Sequence, residues 1–350
     1  MLIQIAMCLI PIVVMGFMAF TNGKRFTSEE YIVGALVGVL LAVGSFHAAK
    51  HLSVTDTEHW NGRITKKISG TESCCHCRTV CDARDDDGNC TRSHEECDHS
   101  MDYWWGWKFS TGDTKKPWTC EGSSRDPKRW VNSEVGEAAA VAHSYKNYLY
   151  ADPNSILIPR PPPGMQGASP KRPQIHDHYR VNNAIGLSKA WNAALMEWNA
   201  DWGAKKQITL VVVKTDHRDP LFTEKIAADW LYGAKNQLTL VLGTSGSDIA
   251  WARAFSFSSI EDLEITVRDD LPKQGFSVTD HASILGWMEP VVLQQYDRDP
   301  MSDLEYLFKA AKPPTWFLVL EAFLLIAASF IYSFVAIEKD LFGGSSRRRF

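Results

Sequence analysis

The chain has 350 residues, a formal net charge of -4 and eight cysteines, and it carries no basic stripe, which argues against nucleic acid as a partner. Its apolar residues are concentrated in three long runs at the two ends of the chain, a distribution that predicts an integral membrane protein rather than a freely soluble one.

The first run, Leu2 to Phe20, lacks a basic leader and a small-x-small cleavage site before Thr21, so it is read as a retained anchor and not a cleaved signal. The second, Tyr31 to Phe46, places Gly34, Gly38 and Ala42 at a spacing that permits close helix contact. The third, Trp316 to Ile337, meets the length of about 20 residues that a spanning helix needs. Lys24 and Arg25 lie between the first two runs, and Arg347, Arg348 and Arg349 follow the third. Basic flanks favour the cytoplasmic side, so residues 47–314 are expected to be extracytoplasmic. Glu321 is the carboxylate inside a membrane run and a candidate intramembrane polar site. Its place near the outer end of the helix would let it reach the interface or meet His47 or Lys50. Cys8 reads as a small apolar residue.

The expected organisation is residues 1–50, two transmembrane helices with a short cytoplasmic loop; 51–157, a Cys- and Trp-rich extracytoplasmic module; 158–173, a Pro-rich linker; 174–312, an α/β domain; and 313–350, a transmembrane helix with a basic cytoplasmic tail. In the first module, Cys74, Cys75, Cys77, Cys81, Cys90, Cys97 and Cys120 cluster in sequence that is dense in turn formers and poor in aliphatics. Such a segment needs a covalent or metal staple. Outside the cytoplasm the leading reading is disulfide, with a cysteine left over from the odd number. Zinc is the alternative, because Cys74, Cys77 and Cys81 have ligand-like spacing and His76, His94 and His99 are close by. DARDDDGN does not have the spacing of a calcium loop and reads as a solvated acidic turn. Trp104, Trp105 and Trp107 alternate as in a strand, and HWNGRITKKI and KRWVNSEV read as further strands of a small β module.

IPRPPPGMQGASPKRP, residues 158–173, is expected to be extended and exposed. Beyond it, Trp191, Leu195, Trp198 and Trp202 fall on one helical face. QITLVVVK and NQLTLVLG are continuous apolar runs of the kind covered on both faces of a sheet, and IAWARAFSF alternates as a third strand. Asp219-Pro220 opens a helix through Leu231; another helix is expected from Thr279 to Tyr296, and Asp299-Pro300 starts a last one. The order helix, strand, helix, strand, strand, helix predicts an α/β sandwich.

A long helix ending in WGAKKQ, then QITLVVVK, then Asp229-Trp230-Leu231-Tyr232-Gly233 and the strand from Asn236 to Leu242, resembles the TPM domain of thylakoid-lumen and bacterial envelope proteins. HWNGRITKK, the Cys cluster, GEAAAVAHSYKNY and the closing DLEYL also resemble membrane proteins of large tailed bacteriophages and related prophages. Those resemblances imply a phage- or prophage-encoded protein of the bacterial inner membrane with a periplasmic face. They imply no settled activity. The TPM resemblance would allow acid phosphatase activity and binding of Ca²⁺ or Mg²⁺. The candidate carboxylates are Asp216, Asp248, Asp269 and Asp270, which follow the strands where α/β ligands gather.

No Gly-x-Ser-x-Gly elbow, phosphate-cradling lysine loop or His-x-x-x-His zinc pair occurs in the α/β half. The leading functional expectation is therefore a non-enzymatic, membrane-anchored α+β envelope protein that binds another protein or self-associates. The alternative is a TPM-type, divalent-metal-dependent phosphatase-like enzyme.

Overall fold

The computed structural model describes residues 2–22, 28–74, 76–85, 87–120, 122–152, 160–161 and 163–339. In chain order the elements are α1 (Leu2–Asn22), α2 (Ser28–Ser53), β1 (Thr55–Ser73), β2 (Cys77–Arg84), β3 (Cys90–Cys97), β4 (Met101–Phe109), β5 (Thr114–Cys120), α3 (Lys128–Val131) and β6 (Ala138–Lys146). They continue as β7 (Ile175–His176), β8 (Arg180–Val181), β9 (Ala184–Ile185), α4 (Lys189–Trp198), α5 (Ala204–Lys206), β10 (Thr209–Thr215) and α6 (Phe222–Trp230). The last are β11 (Gln237–Ser245), β12 (Asp248–Ser256), α7 (Glu261–Asp270), α8 (His281–Gln295) and α9 (Thr315–Lys339). Two units emerge: residues 1–56, 146–155 and 301–350 form one, and residues 57–145 with 156–300 form the other.

In the first unit, α1, α2 and α9 are each long and apolar enough to cross a membrane. The second apolar run is short, yet its helix has 26 residues. Polar flanks extend it: Glu29 and Glu30 sit in the first turn and Lys50 and His51 in the last, where each sign suits the helix dipole. Ala42, fully buried, meets Met7 and Leu325, so the small-residue face of α2 receives both neighbouring helices. At the ends of these helices Val54, Ala151 and Ala311 form a small apolar cluster edged by Leu307 and Phe308. The basic clusters at Lys24 and Arg25 and at Arg347 to Arg349 lie outside the described residues.

The second unit holds two four-stranded sheets. The first has the order β5-β4-β1-β6. Its core is Ile64, Trp107, Phe109, Ala139 and Val141, with Trp118, Trp130 and Tyr179 packed around it. Trp105 and Trp107 are buried, and Trp107 donates from Nε1 to Ser133 Oγ at 2.8 Å, so these indoles serve the core. Gly106 between them is obligatory, because a Cβ there would lie 2.1 Å from the Lys115 carbonyl oxygen. KRWVNSEV, expected as a strand, instead forms the single helical turn α3 after Pro127. Its Trp130 reaches back to donate to the Gly106 carbonyl at 2.9 Å.

The second sheet has the order β12-β11-β10-β9, with β9, β10 and β11 parallel and β12 antiparallel. One face packs Leu210, Val212, Leu238, Leu240 and Leu242 against α4, α7 and α8; the other packs Val211, Val213 and Val241 against α6. That double cover is why QITLVVVK and NQLTLVLG lack alternation. Helix α4 starts at Lys189, because Ser188 caps it and Ala184–Ile185 is taken by the sheet. A π turn over Asn199–Gly203 then shifts the helical phase, leaving Trp202 only partly buried. Asp299-Pro300 leads into 3₁₀ turns over Met301–Ala310, and the Asp299 carboxylate accepts from the Ser259 amide at 2.7 Å.

Within this unit the two sheets are stitched together by buried polar groups. Asn61 donates to the Ile208 carbonyl at 3.0 Å and to Thr209 Oγ1 at 2.8 Å. Asn236 donates to the His59 carbonyl at 2.8 Å. Glu58, 2% exposed, lies 3.1 Å from Lys235 and 3.3 Å from Arg298. The proline-rich segment thus separates two stretches of sequence whose sheets share one unit.

A second ionic knot involves Glu137, which accepts from Arg129 at 2.8 Å and from Arg180 at 2.8 Å. Burial alone would raise its pKa, but the two guanidinium groups outweigh that and hold the carboxyl below its usual range. A depressed carboxyl pKa adds stability above the unfolded value, near 4.3, that disappears as pH falls through the lower folded value. Replacing Glu137 with Gln is expected to cost about 1 to 3 kcal/mol at neutral pH, because two cations lose their partner, partly offset by the exposure of Arg180. Urea unfolding from pH 7 to pH 3 should show this gap between the two proteins closing as pH falls below about 4; a constant gap would refute the assignment.

Candidate functional site

The densest chemistry lies in the hairpin of β2 and β3 and at its root. The strands are antiparallel, with Cys77 opposite Cys97. Disulfides join Cys77 to Cys97 and Cys81 to Cys90. Every residue of β3 is exposed, so the hairpin has almost no core of its own. Cross-strand charge supplements the staples: Arg78 meets Glu96 at 2.8 Å, and His94 meets Asp82 at 2.7 Å. At the tip, Asp85 Oδ1 accepts the amides of Asp87 at 3.1 Å and Asn89 at 2.7 Å. The Asn89 amide is the main reason that carboxyl is held below its usual range. The acidic turn is satisfied by its own backbone.

At the root, Cys74 and His76 precede β2, while His99 and Asp102 follow β3. One ligand atom from each lies within 4.8 Å of those of the others. Asp102 is the inward residue of the group, with its side chain 1% exposed. Its Oδ1 is 2.5 Å from His99 Nε2, and its Oδ2 is 3.9 Å from His76 Nδ1. The His76 amide donates to Cys74 Sγ at 3.3 Å. Cys74 and Cys120 are free thiols, and Cys75 lies outside the described residues.

The zinc spacing Cys74, Cys77, Cys81 therefore does not assemble: Cys77 and Cys81 are consumed in cross-links, and His94 is taken by Asp82. Asp102 was absent from the sequence-based ligand set. Alternation puts it on the Trp104 and Lys108 side of β4, opposite the core residues Trp107 and Phe109, so its burial carried no local signal.

The carboxylates of the α/β half are held one by one. Asp216 accepts from Lys214 at 3.1 Å and Thr244 at 3.0 Å, and Lys214 chiefly holds its carboxyl below the usual range. Asp248 accepts from Ser247 at 3.3 Å. Asp269 pairs with Arg268 at 2.7 Å and Asp270 with Lys273 at 3.2 Å, both at the end of α7, a helix not expected from the sequence. Among the described residues, the group with three or more convergent ligand atoms is the hairpin-root cluster, and it includes none of these four. A groove of about 980 Å³ runs along α4 past Glu137, Arg180 and His281, but Glu137 there is already committed to its two arginines.

Glu321 is buried between helices and accepts from Ser45 of α2, while its Oε2 has no hydrogen-bond partner among the described residues. The expected partners are engaged elsewhere: His47 approaches Gln4 at 3.5 Å, and the Lys50 ammonium lies 4.7 Å from the Phe308 ring centroid. No family model matches the chain, and no curated protein or solved structure does.

Proposed function

We propose that this chain is a membrane-anchored bacterial envelope protein, phage- or prophage-encoded, whose extracytoplasmic body binds another protein and does not catalyse a reaction. The single observation that carries the reading is the doubly cross-linked hairpin. Disulfides persist where the compartment is oxidising, which supports an extracytoplasmic body. An exposed hairpin contributes little burial to its own unit, so two staples on it are best explained by a shape held for contact. Conserving that shape before binding lowers the ordering cost of association. The three apolar helices supply the anchor. The TPM-type phosphatase alternative would need Asp216, Asp248 and Asp269 or Asp270 to converge, and each is tied to its own neighbour instead.

Two measurements test the reading. Reporter fusions at Gly164 should signal outside the cytoplasm and those after Phe342 inside; a cytoplasmic signal at Gly164 overturns the topology. A photo-crosslinking residue in place of Glu95, exposed on β3, should yield one discrete adduct in cells, with a single partner or a second copy. That adduct should vanish in Cys77→Ser/Cys97→Ser. A smear of unspecific products, or an adduct indifferent to the cysteines, defeats the binding role of the hairpin.

A further inference from the structure

We propose that Cys74, His76, His99 and Asp102 form a closed, four-ligand zinc site that clamps the root of the hairpin to the Trp-rich sheet. The site would act whether or not the hairpin meets another protein, so it goes beyond the functional reading above.

Three observations converge on it. The four ligand atoms lie within 4.8 Å of one another although they come from chain segments on opposite sides of the hairpin. The donor set is one sulfur, two imidazole nitrogens and one carboxylate oxygen. Zinc accepts these donors in four-coordinate sites, whereas calcium and magnesium require oxygen. Asp102, finally, is 1% exposed and turned toward two imidazoles. A divalent ion at this point would bind the buried carboxylate while using both rings. With all four positions filled by protein, no site remains for a reactive water, so the ion is structural.

Loading the site has a defined proton balance. The Cys74 thiol gives its proton to solvent; the proton between His99 Nε2 and Asp102 Oδ1 passes to solvent or, through it, to His99 Nδ1, and that hydrogen bond is replaced by two bonds to the ion. His94, on the hairpin and bonded to Asp82, is not part of the set and serves as a control.

The test uses the full-length chain purified in detergent without chelator or metal-affinity steps, then equilibrated with Zn²⁺ or Co²⁺ and dialysed. The expected result is one zinc per chain, and for cobalt a thiolate-to-metal charge-transfer band in the near ultraviolet. Cys74→Ser should abolish that band. Cys74→Ser and His99→Asn should each weaken zinc by more than the roughly 10- to 100-fold that outer-shell substitutions cost, and His94→Asn should leave it unchanged. Mapping of the Cys77–Cys97 and Cys81–Cys90 bonds in each variant reports folding; where a variant fails that check, His76→Asn, at an exposed ligand, takes its place. Sub-stoichiometric zinc in the wild-type chain, equal affinity in the folded ligand variants, or Cys74 found in a disulfide would each overturn the site.

Discussion

A chain carrying Cys77→Ser and Cys97→Ser is expected to open its hairpin to protease while the rest of its body stays folded. The Cys77–Cys97 bond closes a 20-residue separation and Cys81–Cys90 one of 9. A cross-link over a loop of this size contributes about 3 kcal/mol by restricting the unfolded chain. Beyond the inner Cys81–Cys90 bond and the cluster at the root, little holds these strands, since β3 is exposed throughout and its ion pairs are solvent-facing, and such pairs contribute at most about 1 kcal/mol. Removing the outer bond should thus raise the open fraction by on the order of 100-fold. Limited trypsin digestion should show it, with cleavage at Arg78, Arg84 or Arg92 accelerated by a comparable factor. The core around Trp107 shares no residue with the hairpin, so the main thermal transition should move by little. If the main transition collapses along with the hairpin, the hairpin is part of the folding core and its reading as a separate arm fails.

How much of this arrangement the sequence disclosed depended on whether the signal was local. The three apolar helices, the buried strands of QITLVVVK and NQLTLVLG and the strand MDYWWGWKF were legible because hydropathy and alternation act along the chain. Helix α7 was also legible and was missed: Leu263, Val267 and Leu271 recur every four residues and all three are buried. SSIEDLEITVRDD is so charged that the apolar stripe is easily read as loop. KRWVNSEV failed the other way, since β-prone residues after Pro127 were claimed by a helical turn that lets Trp130 cap the Gly106 carbonyl. The pairing of the two sheets through Asn61, Thr209 and Asn236 had no local signal at all, because each residue is polar and unremarkable until its distant partner is known.

The cluster at the hairpin root shows the same divide. Cysteine and histidine content marked this segment, and spacing grouped Cys74 with Cys77 and Cys81, which the structure instead places in disulfides. Spacing ranks Cys77 and Cys81 with Cys74, whereas antiparallel pairing sets Cys77 against Cys97 and leaves Cys74 to meet His99 and Asp102 across the root. The register of a hairpin decides which thiols can be oxidised together, and register is a tertiary property when the strands are this polar.

Within the three-helix unit, substitutions along α2 should separate packed from unpacked glycines by a wide margin. At Gly38 an added Cβ would lie 2.4 Å from Pro11 Cβ, an atom fixed to the ring and backbone of α1 that cannot rotate away. At Gly34 it would lie 2.5 Å from Tyr332 Cε1 and 2.8 Å from Met15 Cε, side-chain atoms of α9 and α1 with more freedom to yield. At Gly44 it would meet nothing within 4 Å. Small residues at membrane helix contacts act by letting backbones approach, so the cost follows the contact and not the residue type. Gly44→Ala should accordingly be neutral, or stabilising by up to about 1 kcal/mol from helix propensity. Gly38→Ala should cost about 1 to 3 kcal/mol by overpacking, Gly34→Ala less, and Gly38→Leu should separate α1 from α2 altogether. Unfolding the full chain from mild detergent by titration with a denaturing one, followed by tryptophan fluorescence and by the accessibility of Cys8 to a maleimide, gives the order. Cys8 lies in α1 beside the cluster of Met7, Ala42 and Leu325 and should label sooner as that contact opens. Equal midpoints and equal labelling for Gly38→Leu and Gly44→Ala would mean that α1 and α2 do not pack through this face.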